Sequence, residues 1–394
     1  MDNLAVTVAS ARVSSSDLLK ARVAIAVAFF NLGLAGGLWA VHIPIIARRL
    51  ELGEALLGVV LLVLAAGAFV SMLATGWAVG RFGSRQLTAI ASILFPFTAA
   101  VTILSPSVEL LFLAAFIFGA GMGVLDVSMN TQAAEVEAAL ARPTMSVLHG
   151  FYSLGGLAGA GLAAALVAVG LGRGWGAAGV CAAMVVIAWF ARIWLLREER
   201  PPATGPRLAL PDRKLLALGL LTFLSFGLEG AVADWSALFL TEIRDATPAI
   251  AGAGYAAFAL AMSVMRLSGD WLVNRFGGRA LLIVGGALIA IGNAIALAAP
   301  EPIVAALGFG LVGVGAANVV PVLFSRGARI ATTPAFGIAA VATLGYVGFL
   351  SWPPIIGFIA DASGLTVALS SVGLAGALIL FGGVVLPRPT KPRT

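Results

Sequence analysis

The sequence predicts an all-α membrane protein, with twelve transmembrane helices arranged as two parallel six-helix repeats. Three observations lead there. Hydrophobic residues make up 60% of the 394 and charged residues only 11%, and the mean hydropathy is +1.05. Soluble domains carry about 25% charged residues. The apolar stretches run for ~20 to 27 residues, which suits a spanning helix, whereas a spanning strand needs ~10. Finally, Trp77-Ala-Val-Gly-Arg-Phe-Gly-Ser-Arg85 returns as Trp271-Leu-Val-Asn-Arg-Phe-Gly-Gly-Arg279, 194 residues further along.

The elements follow in chain order. Residues 1–22 are polar and Ser-rich. They lack an apolar core followed by a small-residue cleavage site, so they read as a tail and not as a cleaved signal. Apolar runs at about 23–47, 54–79, 87–105, 108–134, 144–170 and 175–196 make a first six-helix bundle over 23–196. Residues 197–213 are a linker, with Arg197, Glu198, Glu199, Arg200 and four prolines. Runs at about 214–241, 248–272, 280–299, 302–325, 335–360 and 364–386 make a second bundle over 214–386, and 387–394 form a second tail.

Orientation follows from Lys and Arg. With the N-terminus inside, the outer loops hold Arg48, Arg49, Arg173 and Arg244, and Arg266 lies within a span. Nineteen of the 24 basic residues then remain inside. Both termini are therefore expected in the cytoplasm. The net charge of +6 reflects this one-sided placement and implies no nucleic acid.

The repeat extends beyond the loop. At the same offset Phe29, Gly33, Leu34 and Gly36 match Phe223, Gly227, Leu228 and Gly230, and Tyr152 matches Tyr346. A unit of six spans returns the chain to its starting side, so both copies enter the membrane alike. Parallel repeats of this kind are a plan of secondary transporters.

The repeated loop resembles one found in the major facilitator superfamily, which reads Gly-x-x-x-Asp-Arg-x-Gly-x-Arg. Gly76, Arg81, Gly83 and Arg85 fit it, with Gly80 at the Asp position. In the second copy Arg275, Gly277 and Arg279 fit, Asn274 replaces the Asp, and Asp270 stands at the first position. The resemblance implies the major facilitator fold, alternating access and a cytoplasmic latch at this loop. Without the usual acid, Arg266 and Asp270, four apart on one helix face, are expected to pair in its place. Gly121-Met-Gly-Val-Leu-Asp-Val-Ser-Met-Asn130 and Leu148-His-Gly-Phe-Tyr-Ser-Leu-Gly-Gly156 resemble the rhizopine-associated, MosC-type branch. That resemblance implies small polar solutes: polyols, sugars or amino-polyols.

Charged and polar residues inside spans are costly and read as functional by default. Glu229 falls near the middle of span seven, on one face with Ser225 and Ser236. It is the first candidate for binding a proton or solute. Asp234, about 140° around the helix, faces another neighbour. Asp126 and Asn130 share a face of span four; His149, Tyr152 and Ser153 share one of span five. Asp126 and His149 are expected to form a carboxylate–imidazole pair. Asn31 is a further solute candidate, whereas His42 reads as a gate or interfacial residue. Asn318 stands near Pro321, whose missing donor frees a carbonyl. Trp352, followed by two prolines, is expected where helix eleven breaks or kinks, and with Tyr346 offers an aromatic wall. For each of these a helix-packing role is the plainer alternative.

Other chemistry is excluded. Lys occurs only at 20, 214 and 391, outside any phosphate-loop pattern. Two His and one Cys make no metal cluster. No hydrolytic triad pattern is present, and Cys181 has no partner for an intrachain disulfide. The expected protein is a monomeric, non-enzymatic transporter of a bacterial inner membrane, needing no cofactor or metal. It moves a small polar solute, coupled to protons. An exporter of amphipathic cations is the alternative; a non-transporting sensor or lipid-handling protein is the alternative of another class.

Overall fold

A computed structural model describes residues 14–52, 54–171, 174–197, 212–246, 250 and 253–386. Most of the first tail, Arg173, linker residues 198–211 and the tail 387–394 lie outside them. The helices are α1 (Ser15–Arg49), α2 (Glu54–Phe82), α3 (Ser84–Leu104), α4 (Val108–Leu140), α5 (Met145–Ala168), α6 (Trp175–Ala191), α7 (Arg213–Arg244), α8 (Ala253–Phe276), α9 (Gly278–Ala298), α10 (Pro302–Ala316), α11 (Val319–Ile330), α12 (Pro334–Ser363) and α13 (Leu365–Val385). A 3-10 turn, Arg192–Trp194, extends α6, and α10 with α11 forms a single span. Among the described residues, twelve helical stretches are long and apolar enough to cross a membrane.

Side-chain caps set several starts. Ser107 accepts from the Leu110 amide to open α4, and Asp212 accepts from the Lys214 and Leu215 amides to open α7. Helix α1 begins eight residues before its apolar run, because Ser14 caps the Asp17 amide. The end of the expected tail is therefore helical and carries Arg22 to the membrane edge. Helix α12 stays helical through residues 352–354, so the break expected at the two prolines does not occur. The two prolines remove two donors there, and the rest of the ladder keeps the helix continuous.

The duplication is visible in packing. Helix α1 packs on α5, α2 on α4 and α3 on α6; in the second half α7 packs on α12, α8 on α10 and α9 on α13. The halves meet where α5 crosses α8 and α2 crosses α12. The repeated loop is also duplicated in detail. Gly83 has φ 87° and Gly277 φ 82°, a left-handed conformation that suits glycine. Trp77 meets Phe82 edge-on at 6.5 Å, as Trp271 meets Phe276 at 6.1 Å. Arg81 and Arg275 lie over those same phenylalanine rings.

Close helix approach depends on missing side chains. A Cβ on Gly33 of α1 would run into the Tyr152 carbonyl of α5, and one on Gly155 into the Phe30 carbonyl. The α1–α5 backbones meet at this small-residue seam, the type that serves in membranes where no hydrophobic effect drives helices together.

Candidate functional site

The tenth span breaks at Ala317 and Asn318, between α10 and α11. Pro321 has no N–H to offer the Ala317 carbonyl four residues back. Arg266 of α8 takes that place: its Nε donates to the Ala317 oxygen at 3.1 Å. The same guanidinium donates to Ser153 Oγ of α5 at 3.1 Å and to Glu229 Oε1 of α7 at 3.4 Å. Both ends of this ion pair are largely buried. One arginine thereby ties three helices of the second half to α5 of the first. It lies 13 residues into α8, close to mid-depth at about 1.5 Å per residue.

Other polar groups surround this pair. Tyr152 lies within electrostatic reach of Arg266, Asp126, Tyr255 and Glu229, and Tyr346 within reach of Asp126, Tyr152 and Glu229. Asp126 Oδ1 accepts from Asn130 at 3.2 Å, whereas Asp126 Oδ2 is buried without a hydrogen-bond partner. Asn318 donates to the Met265 carbonyl at 3.4 Å and leaves its Oδ1 unpartnered. The Trp352 ring lies 5.6 Å from that of Phe223, tilted by 60°, with its Nε1 unpartnered. Tyr346 meets Phe226 edge-on.

Two expected partnerships differ. Asp126 and His149 do not pair: His149 Nδ1–H donates to its own helix at the Met145 carbonyl, and its ring packs between Phe29 and Phe324. Arg266 and Asp270 do not pair either. Arg266 is drawn inward by Glu229, and Asp270 outward by Arg22 at 3.1 Å. Asn31 donates to the Met184 carbonyl of α6, which gives its amide a helix-joining role. Asp234 is exposed and apart from Glu229's ion pair. His42 Nδ1–H donates to the Leu38 carbonyl.

Nearer the repeated loop, two carboxylates satisfy the start of α5. A helix leaves its first N–H groups without internal partners. Glu137 Oε2 accepts from the Thr144 and Met145 amides at 3.0 and 3.2 Å. Asp270 Oδ1 accepts from the Ser146 and Val147 amides at 2.9 and 3.2 Å. Each carboxylate also spans the halves: Asp270, on α8, caps a first-half helix and pairs with Arg22 of α1. Glu137, on α4, pairs with Arg329 of α11 at 2.9 Å. Gly269 lies directly against Ser146 here, and Gly76 of α2 faces Ala339 of α12.

Comparison with known proteins places this architecture. The sequence pattern of the Major Facilitator Superfamily matches residues 23–226. The chain belongs to this superfamily. An uncharacterized MFS-type transporter of Yersinia pestis is 38% identical over 348 residues, covering 88% of this chain and 91% of its own. Membrane protein MosC of Rhizobium meliloti is 36% identical over 372 residues, covering 93% and 90%. Among solved structures, the E. coli fucose:proton symporter FucP matches with a TM-score of 0.75 at 15% identity, covering 92% of this chain and 97% of its own. The proton:xylose symporter XylE matches with a TM-score of 0.73 at 16% identity, covering 94% and 95%. Those two likenesses speak to the fold alone. This MFS protein is a multi-pass membrane protein and a secondary transporter.

Sequence reasoning missed the caps on α5. Arg22 lay in what read as a tail, and Glu137 and Arg329 sat at helix ends where charges are ordinary. It assigned Arg266 to the gate, although its position, further from a run's ends than any other Lys or Arg, was the signal for a deeper role. Tyr255 was not singled out.

Proposed function

We propose that this transporter moves a small polar solute of the sugar, polyol or amino-polyol class by alternating access, coupled to protons. The observation that carries the reading is the buried Arg266–Glu229 pair at mid-depth, joined to Ser153 across the two halves. Glu229 faces the guanidinium, and Asp126 lies within electrostatic reach of the neighbouring Tyr152 and Tyr346. Glu229 is occupied by Arg266, and Asp126 has only a neutral amide on one oxygen. A buried carboxylate oxygen without a partner calls for a proton or a donor. A solute hydroxyl can supply that donor, and so can a proton, so the two compete at Asp126. At Glu229, protonation removes the charge that holds Arg266 and frees the guanidinium for solute oxygens. Tyr152, Tyr346 and Trp352 supply ring faces and polar tips suited to a sugar or polyol. The same pairing weighs against an exporter of amphipathic cations, because Arg266 already offsets one of the acids such a cargo would need.

Helix α5 carries both Ser153, at the site, and the capped N-terminus, at the gate. Separation of α5 from α8 thus opens the site from the end nearer the repeated loop and breaks the Arg266–Ser153 bond in a single motion. With the N-terminus inside, the closed end is cytoplasmic.

The test is uptake of radiolabelled L-fucose, D-xylose, an inositol and glucosamine into proteoliposomes, with a proton gradient, a sodium gradient or none. The expected result is accumulation of at least one solute driven by the proton gradient, abolished in Glu229→Gln. Accumulation that follows sodium alone, or unchanged coupled uptake in Glu229→Gln, would overturn it.

A further inference from the structure

A cavity of about 520 Å³ lies away from the central site, between the α2–α3 turn and the end of the sixth span. Arg85, Arg192, Arg197 and Gln86 line it, with Phe82 and Ile193 among its apolar walls. Three arginines converge on one hollow in a chain where charged residues are only 11%. Glu135 is an acid nearby; its carboxylate accepts from Ser84 and Gln132. Among the described residues that line the cavity, the charged side chains are all arginines.

The hollow is built, not incidental. Gln132 of α4 grips the backbone at Leu196 from both sides, donating to its carbonyl at 3.3 Å and accepting from its amide at 3.0 Å. Gln132 also donates to Ser84 Oγ at 2.6 Å, which fixes the start of α3 against the same segment. Arg192 is held with its guanidinium 3.8 Å over the Trp189 ring. Neither Arg192 nor Arg197 has a hydrogen-bond acceptor among the described residues, and the Arg192 Nε is buried without one.

Place selects the ligand. The sixth span runs from Trp175 to Trp194, so Arg192 sits in its last turn, where a bilayer presents headgroups. Trp189, Ile193 and Trp194 are exposed on the outside of that turn, on a surface that lipid chains cover. Basic pockets between membrane helices are suited to anionic lipid headgroups, and arginine forks match phosphate oxygens. The geometry points to a binding site for the phosphate headgroup of an anionic membrane lipid, with Arg192 and Arg197 as its cationic ligands.

The experiment is native mass spectrometry of the full chain in detergent, titrated with phosphatidylglycerol or phosphatidylethanolamine, with and without inorganic phosphate. The expected result is retention of phosphatidylglycerol in preference to phosphatidylethanolamine, weakened about tenfold in Arg192→Gln/Arg197→Gln. Arg197→Gln alone, at an exposed position after the helix, is expected to weaken it severalfold with an unchanged melting temperature. Arg192→Lys/Arg197→Lys is expected to keep the preference. Equal retention of the two lipids, or undiminished phosphatidylglycerol binding in both glutamine variants, overturns the proposal. Displacement by inorganic phosphate at matched concentration also overturns it, by assigning the cavity to a soluble anion.

Discussion

Asp270→Asn is the most informative perturbation of the gate. The carboxylate holds two amides of α5, at 2.9 and 3.2 Å, and Arg22 at 3.1 Å, so three charge-assisted contacts join the halves through one side chain. Hydrogen bonds to charged groups contribute about 1.5–3 kcal/mol and neutral ones about 1 kcal/mol. Asparagine keeps one oxygen for the amides and loses the charge facing Arg22, which is partly exposed and worth correspondingly less. The closed arrangement should lose about 2–3 kcal/mol, a shift of ~30- to 140-fold in the closed-to-open ratio. A closed state favoured a hundredfold would then fall to between about 3:1 and 1:1. Spin labels at Arg142→Cys and Thr332→Cys, in a Cys181→Ala background, report the separation of the halves by double electron–electron resonance. One short distance is expected in the parent protein and a second, longer population in Asp270→Asn. An unchanged distribution in Asp270→Asn and in Asp270→Asn/Glu137→Gln refutes the latch.

Three further outcomes follow. Arg266→Gln leaves Glu229 buried without its partner and should cost about 3–5 kcal/mol, read as a lower melting temperature in detergent. Adding Glu229→Gln should recover much of that loss; an additive double variant would show that the two groups do not interact. Glu137→Ala should cost about 1–2 kcal/mol through the lost cap on Thr144 and Met145, whereas Arg329→Gln, at a mostly exposed partner, should cost under about 1 kcal/mol; equal losses would assign the effect to the ion pair. Gly33→Ala places a Cβ against the Tyr152 carbonyl and should cost about 1–3 kcal/mol, and a melting temperature equal to the parent's would mean the α1–α5 seam opens without strain.

Much of the fold was legible because hydropathy and a repeated turn can be read from short stretches of sequence. The duplicated Arg-Phe-Gly turn needed only its own residues to be recognised, and its positive-φ glycines and ring contacts recur in both copies. Pairing inside the membrane was less legible. Arg266 and Asp270 stand four apart, which suits an intrahelical pair, yet helices from both halves compete for them: Glu229 and Ser153 for the first, Arg22 and the α5 amides for the second. Asp126 and His149 failed as a pair for a similar reason, since each found a partner one turn away on its own helix. Helix spacing tells which residues share a face; it does not tell which neighbouring helix will meet that face.

Proton movement with solute tests the central claim most directly. Proteoliposomes containing trapped pyranine would receive L-fucose, D-xylose, an inositol or glucosamine while internal pH is recorded. The account predicts a solute-dependent pH change in the parent protein for at least one of these, and none in Glu229→Gln. Solute entry without a pH change in the parent, or an equal pH change in Glu229→Gln, would contradict it.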